Sequence, residues 1–293
     1  MGLVLNAEII GSHVAGFLNE KVDNGRNPIG SVHSVFSKVV NVELFDGALN
    51  GRIPKFLAVI SDDAHPFAIT CYQLPTFSTR FERGQLVYVR EGFEFAISGS
   101  LLCVDVSAAK IWYQETADKA DDLLIKRNGQ MMAEMLQQDI EPILCGFAVK
   151  RTLSMILHKM CELRDLKADF CGMYEVLYPL LGMGPGLTPL GDDFISGYIV
   201  ALWYLRDNEQ DHKRLWEVST RLATGGTTEY SRQQIAFAGQ GLCQRSIFRL
   251  IQSLLSNRFD AGYLLPVLSI GASSGLGWAM GIATSGLGFD TES

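Results

Sequence analysis

The stretch from Leu181 to Phe194, LGMGPGLTPLGDDF, holds four glycines, two prolines and two adjacent aspartates ahead of a strongly apolar run. Glycines at 182, 184 and 186 let the backbone take conformations other residues resist and let a ligand approach closely. Thr188 and Pro189 mark a helix start, because threonine caps well and proline suits the first helical position. The amides of such a start attract anions. The spacing from Gly186 to Gly191 resembles a phosphate loop, but Asp192 stands where that loop carries lysine, so a nucleotide phosphate would be repelled. Asp192 and Asp193 lie about 100° apart around a helix. Together they can share a divalent metal or a ligand only at a relaxed helix end. Otherwise one faces the site and the other answers the helix dipole. The competing reading is a tight turn whose acids stabilise a helix start.

Two further turns have similar chemistry. Thr224 to Ser231 (TGGTTEYS) offers four Thr and Ser hydroxyls ahead of a helix, with Thr228 and Ser231 as candidate donors and Arg232 as a charge-assisted partner. Ser269 to Gly277 (SIGASSGLG) places Ser273 and Ser274 at another N-cap. Three such starts in one helical region predict convergence on a small polar or anionic ligand, with Gly184, Gly186, Thr188 and Gly191 contributing from the first. Among five histidines no H-x-x-x-H or H-E-x-x-H spacing occurs, which removes a zincin-type site. His33, opening a strand in SVHSVF, is the histidine with a candidate catalytic role. There is no G-x-S-x-G, no cysteine sits beside a histidine, and Cys171 reads as a buried thiol.

The elements that must position these residues divide the chain. Runs rich in Val, Ile, Phe and Tyr at 31–44, 56–60, 67–72, 85–89, 93–98 and 101–106 alternate with turn signals such as Asp46-Gly47, Asn50-Gly51, Arg83-Gly84 and Glu91-Gly92. They predict a small barrel or sandwich. After Trp112 the character changes. Residues 115–139 are charged and helix-prone, and Leu153, Ile156, Leu157, Met160 and Leu163 recur at helical steps. Further helices are expected over 173–181, 189–206, 212–223, 231–255 and 275–284. The expected fold is α+β: a β-rich domain over 1–112, a helical connector over 113–145 and an all-α domain over 146–293.

Composition narrows the partners. With 293 residues, 47% of them apolar, the chain can bury a large core. A formal charge of −7 without a basic run excludes a phosphate-binding footprint and hence nucleic acid. No apolar stretch reaches the roughly 18–20 residues of a membrane span. The N-terminus lacks the basic start and cleavage site of a signal peptide. Six scattered cysteines fit free thiols in a reducing cytoplasm.

Gly182 through Gly197, GMGPGLTPLGDDFISG, resembles the G-x-G-P-G-L-T-P-x-G-D-D-F-x-x-G signature of the AllH-like family. Supporting matches are SVHSVF at 31–36 with Asn41, Thr228 and Ser231 with Ala238 and Gly241, and Ile270-Gly271 with Ser273, Ser274 and Gly275. The resemblance implies a subunit of oxamate carbamoyltransferase in anaerobic allantoin degradation, working with FdrA-like and AllG-like subunits. The implied reaction converts oxalurate and phosphate to oxamate and carbamoyl phosphate. Under it, Asp192, Asp193 and His33 are the expected catalytic residues. Gly184, Gly186, Thr188, Gly191, Thr228, Ser231, Arg232, Ser273 and Ser274 are expected to bind the anionic substrate. No cofactor is firmly implied beyond a divalent metal at the aspartates. The alternative is a non-catalytic small-anion-binding or assembly subunit of the same complex.

Overall fold

The computed structural model describes residues 3–21, 27–47, 54–72, 81–90, 94–99, 102–118, 121–143, 147–166, 170–206 and 208–287. The chain divides into two compact units, Met1–Glu115 and Thr116–Ser293. The fold class is α+β, with strands in the first and helices in the second.

In the first unit the strands are β1 (Leu3–Asn6), β2 (Ile9–Gly11), β3 (Gly30–Val35), β4 (Val39–Leu44), β5 (Phe56–Ile60), β6 (Ala68–Thr70), β7 (Leu86–Arg90), β8 (Glu94–Ile97), β9 (Leu102–Asp105) and β10 (Lys110–Trp112). They form one mixed sheet in the order β1-β9-β8-β7-β3-β4-β5-β6-β2-β10. Only Ala7 and Glu8 separate β1 from β2, yet these strands lie near opposite ends of that order. Two residues span at most about 7 Å, so the sheet must curl until its ends meet. Ala7 N–H to the Asp105 carbonyl at 2.8 Å extends the β1–β9 ladder, and Lys110 N–H to the Glu8 carbonyl at 3.0 Å extends the β2–β10 ladder. Val32, Val42, Leu57, Ile69, Val87, Val89 and Val104 fill the interior. The strand alternation is clean in β7, where Val87 and Val89 are buried between exposed Leu86 and Arg90.

The run over 31–44, a single segment in sequence, is a hairpin: Phe36 N–H bonds the Val39 carbonyl at 2.8 Å, and β3 and β4 pair antiparallel. Helix α1 (Ser12–Lys21) interrupts the β-rich half. Its buried Val14, Phe17 and Leu18 carry a helical spacing that the strand-rich surroundings obscure. The Asn50-Gly51 and Glu91-Gly92 turn signals lie outside the described residues.

The second unit contains α2 (Asp122–Ile143), α3 (Phe147–Asp165), α4 (Phe170–Leu177), α5 (Leu190–Leu205), α6 (Glu209–Leu222), α7 (Glu229–Ala238), α8 (Arg245–Leu255), α9 (Leu264–Leu268) and α10 (Ser274–Leu287). All of α5 is buried except Trp203 and Tyr204, which makes it the central helix. Its partner is α10, and backbones touch where they cross. A Cβ on Gly197 would lie 2.3 Å from the Trp278 carbonyl oxygen, and one on Gly281 would lie 2.2 Å from that of Phe194. Asn128 of α2 donates to the Leu254 and Ser256 carbonyls and so caps the end of α8.

Sequence reading and structure differ at three further points. The helix expected over 231–255 is two helices, because Gly241 takes φ +75 and its N–H bonds the Ala238 carbonyl, ending α7. Asn208 caps α6 through Asp211 N–H, so that helix begins three residues earlier than expected. Cys171 is exposed on α4 rather than buried. Among the described residues no cysteine forms a disulfide, and no helix is long and apolar enough to cross a membrane.

Candidate functional site

The loop before α5 is built by its glycines. Gly182, Gly184 and Gly186 all hold positive φ, the left-handed region closed to most side chains. At Gly184 a Cβ would also sit 2.8 Å from the Leu190 nitrogen, while the exposed Gly186 has nothing within 4 Å of such an atom. Gly186 is therefore the open face of the loop and Gly184 its packed face. Gly191 faces inward: a Cβ there would meet the Leu180 carbonyl oxygen at 2.1 Å.

Helix α5 starts one residue later than the capping signal suggests. Pro189 occupies the N-cap, without a side-chain cap. The Thr188 hydroxyl pairs instead with the Ser274 hydroxyl at 2.9 Å, across 86 residues of sequence. The second to fourth amides of α5 are taken within the protein. Gly191 N–H bonds the Met183 carbonyl, and Asp192 and Asp193 N–H bond that of Pro189.

Both aspartates are fully buried, and their surroundings treat them differently. Asp192 accepts from Gly182 N–H at 2.8 Å through one oxygen and from the Thr227 hydroxyl through the other. Burial raises its pKa, and hydrogen bonds from Thr227, Gly182 and Ser231 work against that rise. Asp193 accepts from Gln234 Nε2 at 2.9 Å through Oδ1, while its buried Oδ2 has no hydrogen-bond partner among the described residues. Burial pushes Asp193 up to about 8; Gln234 and the Ser274 and Thr188 hydroxyls pull it down, and the neighbouring Asp192 charge adds to the rise. At neutral pH Asp193 is mostly a neutral acid. Tyr230, pushed up to about 12 by burial and then by the Asp193 charge, keeps its phenolic proton.

The three helix starts converge. Thr228 caps α7 by accepting Ser231 N–H at 3.0 Å, and its hydroxyl donates to the Leu187 carbonyl at 2.6 Å. The Ser231 hydroxyl points to the same carbonyl at 3.4 Å. Thr188 and Ser274 join the third start to the first. Gly184, Gly186, Thr188, Gly191, Asp192, Asp193, Thr228, Ser231 and Ser274 thus form one connected cluster. Ser273 adjoins it in sequence, with its carbonyl accepting Gly277 N–H. Arg232 follows on α7, half-buried, with Nε unbonded among the described residues. His33 is on β3, in the first unit. Gly182 and Thr227, one of the three loop glycines and one of the turn hydroxyls, are the donors to Asp192, while Tyr230 and Gln234 were absent from the expectation. Gln234 follows Ser231 by three positions and shares its face of α7, a signal present in the sequence.

A divalent metal does not fit this cluster. Both Asp192 oxygens are taken by donors, and no group of three or more His, Cys, Asp or Glu side chains suited to a metal occurs among the described residues.

Residues 180–286 match the family described as oxamate carbamoyltransferase subunit AllH. That description names one subunit of a transferase. The AllH match takes in the glycine loop, both aspartates and all three helix starts, and leaves the first unit and α2 to α4 outside it. No solved structure matches the chain.

Proposed function

We propose that this protein is a cytoplasmic subunit of a carbamoyltransferase that converts oxalurate and phosphate to oxamate and carbamoyl phosphate in anaerobic allantoin breakdown. Its partners in this reading are FdrA-like and AllG-like subunits. The observation that carries the proposal is Asp193: a buried carboxyl, mostly protonated at neutral pH, with one oxygen unbonded, inside the AllH-matching cluster.

The reaction needs such a group. A phosphate oxygen attacks the carbamoyl carbon of oxalurate, and the bond from that carbon to the oxamate nitrogen breaks. The departing nitrogen is a poor leaving group as an anion and must take up a proton. Asp193 supplies that proton, and the carboxylate left behind is reprotonated from solvent. An acid poised near the working pH is the most effective donor for such a step. Asp192, held by Gly182 and Thr227, keeps the loop in place and raises its neighbour's pKa. Arg232 and the Thr188, Ser231 and Ser274 hydroxyls supply contacts for phosphate and the oxalurate carboxylate.

The complex reconstituted with its partner subunits tests this. Asp193→Asn keeps the shape and the Gln234 contact but cannot donate a carboxylic proton, so oxalurate-dependent carbamoyl phosphate formation should collapse. Wild-type turnover by that variant would remove Asp193 from the reaction. A second reading, an assembly subunit without chemistry, is favoured by the backbone partners that the Gly191, Asp192 and Asp193 amides find within the protein. It predicts that Asp193→Asn leaves turnover intact and that Gly184→Ala impairs subunit association.

A further inference from the structure

Buried oxygens without a hydrogen-bond partner among the described residues include one in each unit, Asn41 Oδ1 and Asp193 Oδ2. Asn41 lies at a bulge, where β3 and β4 change register between Val32 and Ser34, and it donates to the Ser34 hydroxyl at 2.9 Å. His33, the extra residue of the bulge, has its Nδ1 3.3 Å from the same hydroxyl. A carboxamide has no acidic proton to place. Asp193 has one, and the groups around it fix where that proton sits.

The network starts at Ser196, one turn along α5 from Asp192. Its hydroxyl donates to the Asp192 carbonyl at 2.9 Å, and a carbonyl oxygen can only accept. The single hydrogen of Ser196 is thereby committed, so its oxygen accepts from any other partner. Gln234 of α7 approaches that oxygen at 3.4 Å, and the atom it presents is therefore the donor Nε2, not Oε1. The same nitrogen lies 2.9 Å from Asp193 Oδ1 and carries two hydrogens, one for each neighbour. Oδ1 is thus an acceptor. In a neutral carboxyl the better acceptor is the carbonyl oxygen, which leaves the hydroxyl hydrogen on Oδ2. Asp193 and Ser196 are both fully buried, where such bonds count most.

We infer that Gln234 is the positioning residue of Asp193: by donating to Oδ1 it holds the carboxyl hydrogen on Oδ2 and sets the direction in which that hydrogen is presented. The titratable groups that act on Asp193 are Asp192 on its own helix and Tyr230 on α7, with the Thr188 and Ser274 hydroxyls beside it. Gln234 is neutral at every pH, so it orients the acid without pairing away its charge. The reverse arrangement, with Oδ1–H donating to a flipped Gln234 Oε1, would set two acceptors against each other at Ser196. The two arrangements have opposite consequences. A donor to Oδ1 favours the carboxylate, so its removal makes Asp193 harder to ionise. An acceptor for Oδ1–H favours the neutral acid, so its removal makes Asp193 easier to ionise. The placement of the proton stands on this geometry, and its bearing on turnover rests on the acid role proposed for Asp193.

Gln234→Met, which removes the amide at similar length, tests this in the full chain. The Asp193 carboxyl is followed by carbon NMR and identified by its absence in Asp193→Asn. Its titration midpoint should rise by about one pH unit; an unmoved or lower midpoint overturns the proposal. If Gln234→Met fails to fold, the wild-type chain decides. The Gln234 side-chain N–H signal should then move downfield as Asp193 ionises and stay still in Asp193→Asn, and a signal that does not follow Asp193 overturns the proposal. In the reconstituted complex Gln234→Met should lower kcat about tenfold or more with KM changed by less than about twofold, and move the alkaline limb of the pH profile upward with the midpoint. A structural role alone would leave that limb in place. An unmoved limb beside an inactive Asp193→Asn overturns the positioning role. An active Asp193→Asn with a raised midpoint in Gln234→Met removes the acid role of Asp193 and supports the placement of its proton.

Discussion

The start of α5 and the β3–β4 bulge each bury a polar side chain with one oxygen unbonded among the described residues: Asp193 Oδ2 in the helical unit and Asn41 Oδ1 in the β unit. The cost of that burial is met by different means. A carboxyl can take up a proton and become neutral, and Asp193 does so, with its pKa pushed up to about 8. A carboxamide has no such escape, so Asn41 bears the cost. The Asp193 carboxyl is therefore sensitive to pH, whereas the Asn41 carboxamide is not.

The sharpest way to break this contrast is Asp193→Asn, which turns the first kind of group into the second. In the reconstituted complex we expect carbamoyl phosphate formation to fall by roughly two to four orders of magnitude, the usual worth of a general acid.

Stability against pH is the next test. The folded-state pKa of Asp193 is raised above the ordinary carboxylate value of 3.8, so between about pH 4 and pH 8 the folded chain holds a proton that the unfolded chain has released. The stability due to this group is complete below pH 4 and is lost as pH rises toward 8, at up to about 1.4 kcal/mol per unit. Denaturant titrations at pH 5, 7 and 9 should show Asp193→Asn gaining on the wild type from 5 to 8 and holding a constant lead above it. A lead that does not change with pH would mean that Asp193 is ionised in the folded protein.

Thr227→Val asks how far Asp192 depends on its donors. Removing the hydroxyl leaves a buried carboxylate oxygen unpaired, which should cost about 1–3 kcal/mol in urea unfolding. The smallest effect belongs to Asn41→Leu. It should leave stability unchanged or raise it by about 1 kcal/mol, since the buried idle oxygen is removed. A loss of stability would mean that the Asn41 bond to the Ser34 hydroxyl outweighs the idle oxygen and would end the comparison.

Much of this was legible in local sequence. The glycine-proline run announced a special turn, and the change of pattern near Trp112 announced the passage from strands to helices. The break between α7 and α8 was not legible, because apolar spacing runs through it and a single glycine in the left-handed region decides it. Thr188 looked like a cap and is instead half of a hydroxyl pair with Ser274, a partner that no window of a few residues contains.

The amino-acid sequence by itself determined which half of the chain is strand-rich and which helical, which residues suit a core and where the glycine-proline run turns, because those preferences act within a turn or two of backbone. The tertiary structure alone decided that Asp192 would meet Gly182 and Thr227, that Asp193 would meet Gln234 with one oxygen idle, and that a one-residue bulge would turn His33 toward Ser34. Charge state and hydrogen-bond partners in a buried site depend on which groups the packing brings within about 3 Å of one another, and on how completely it removes water.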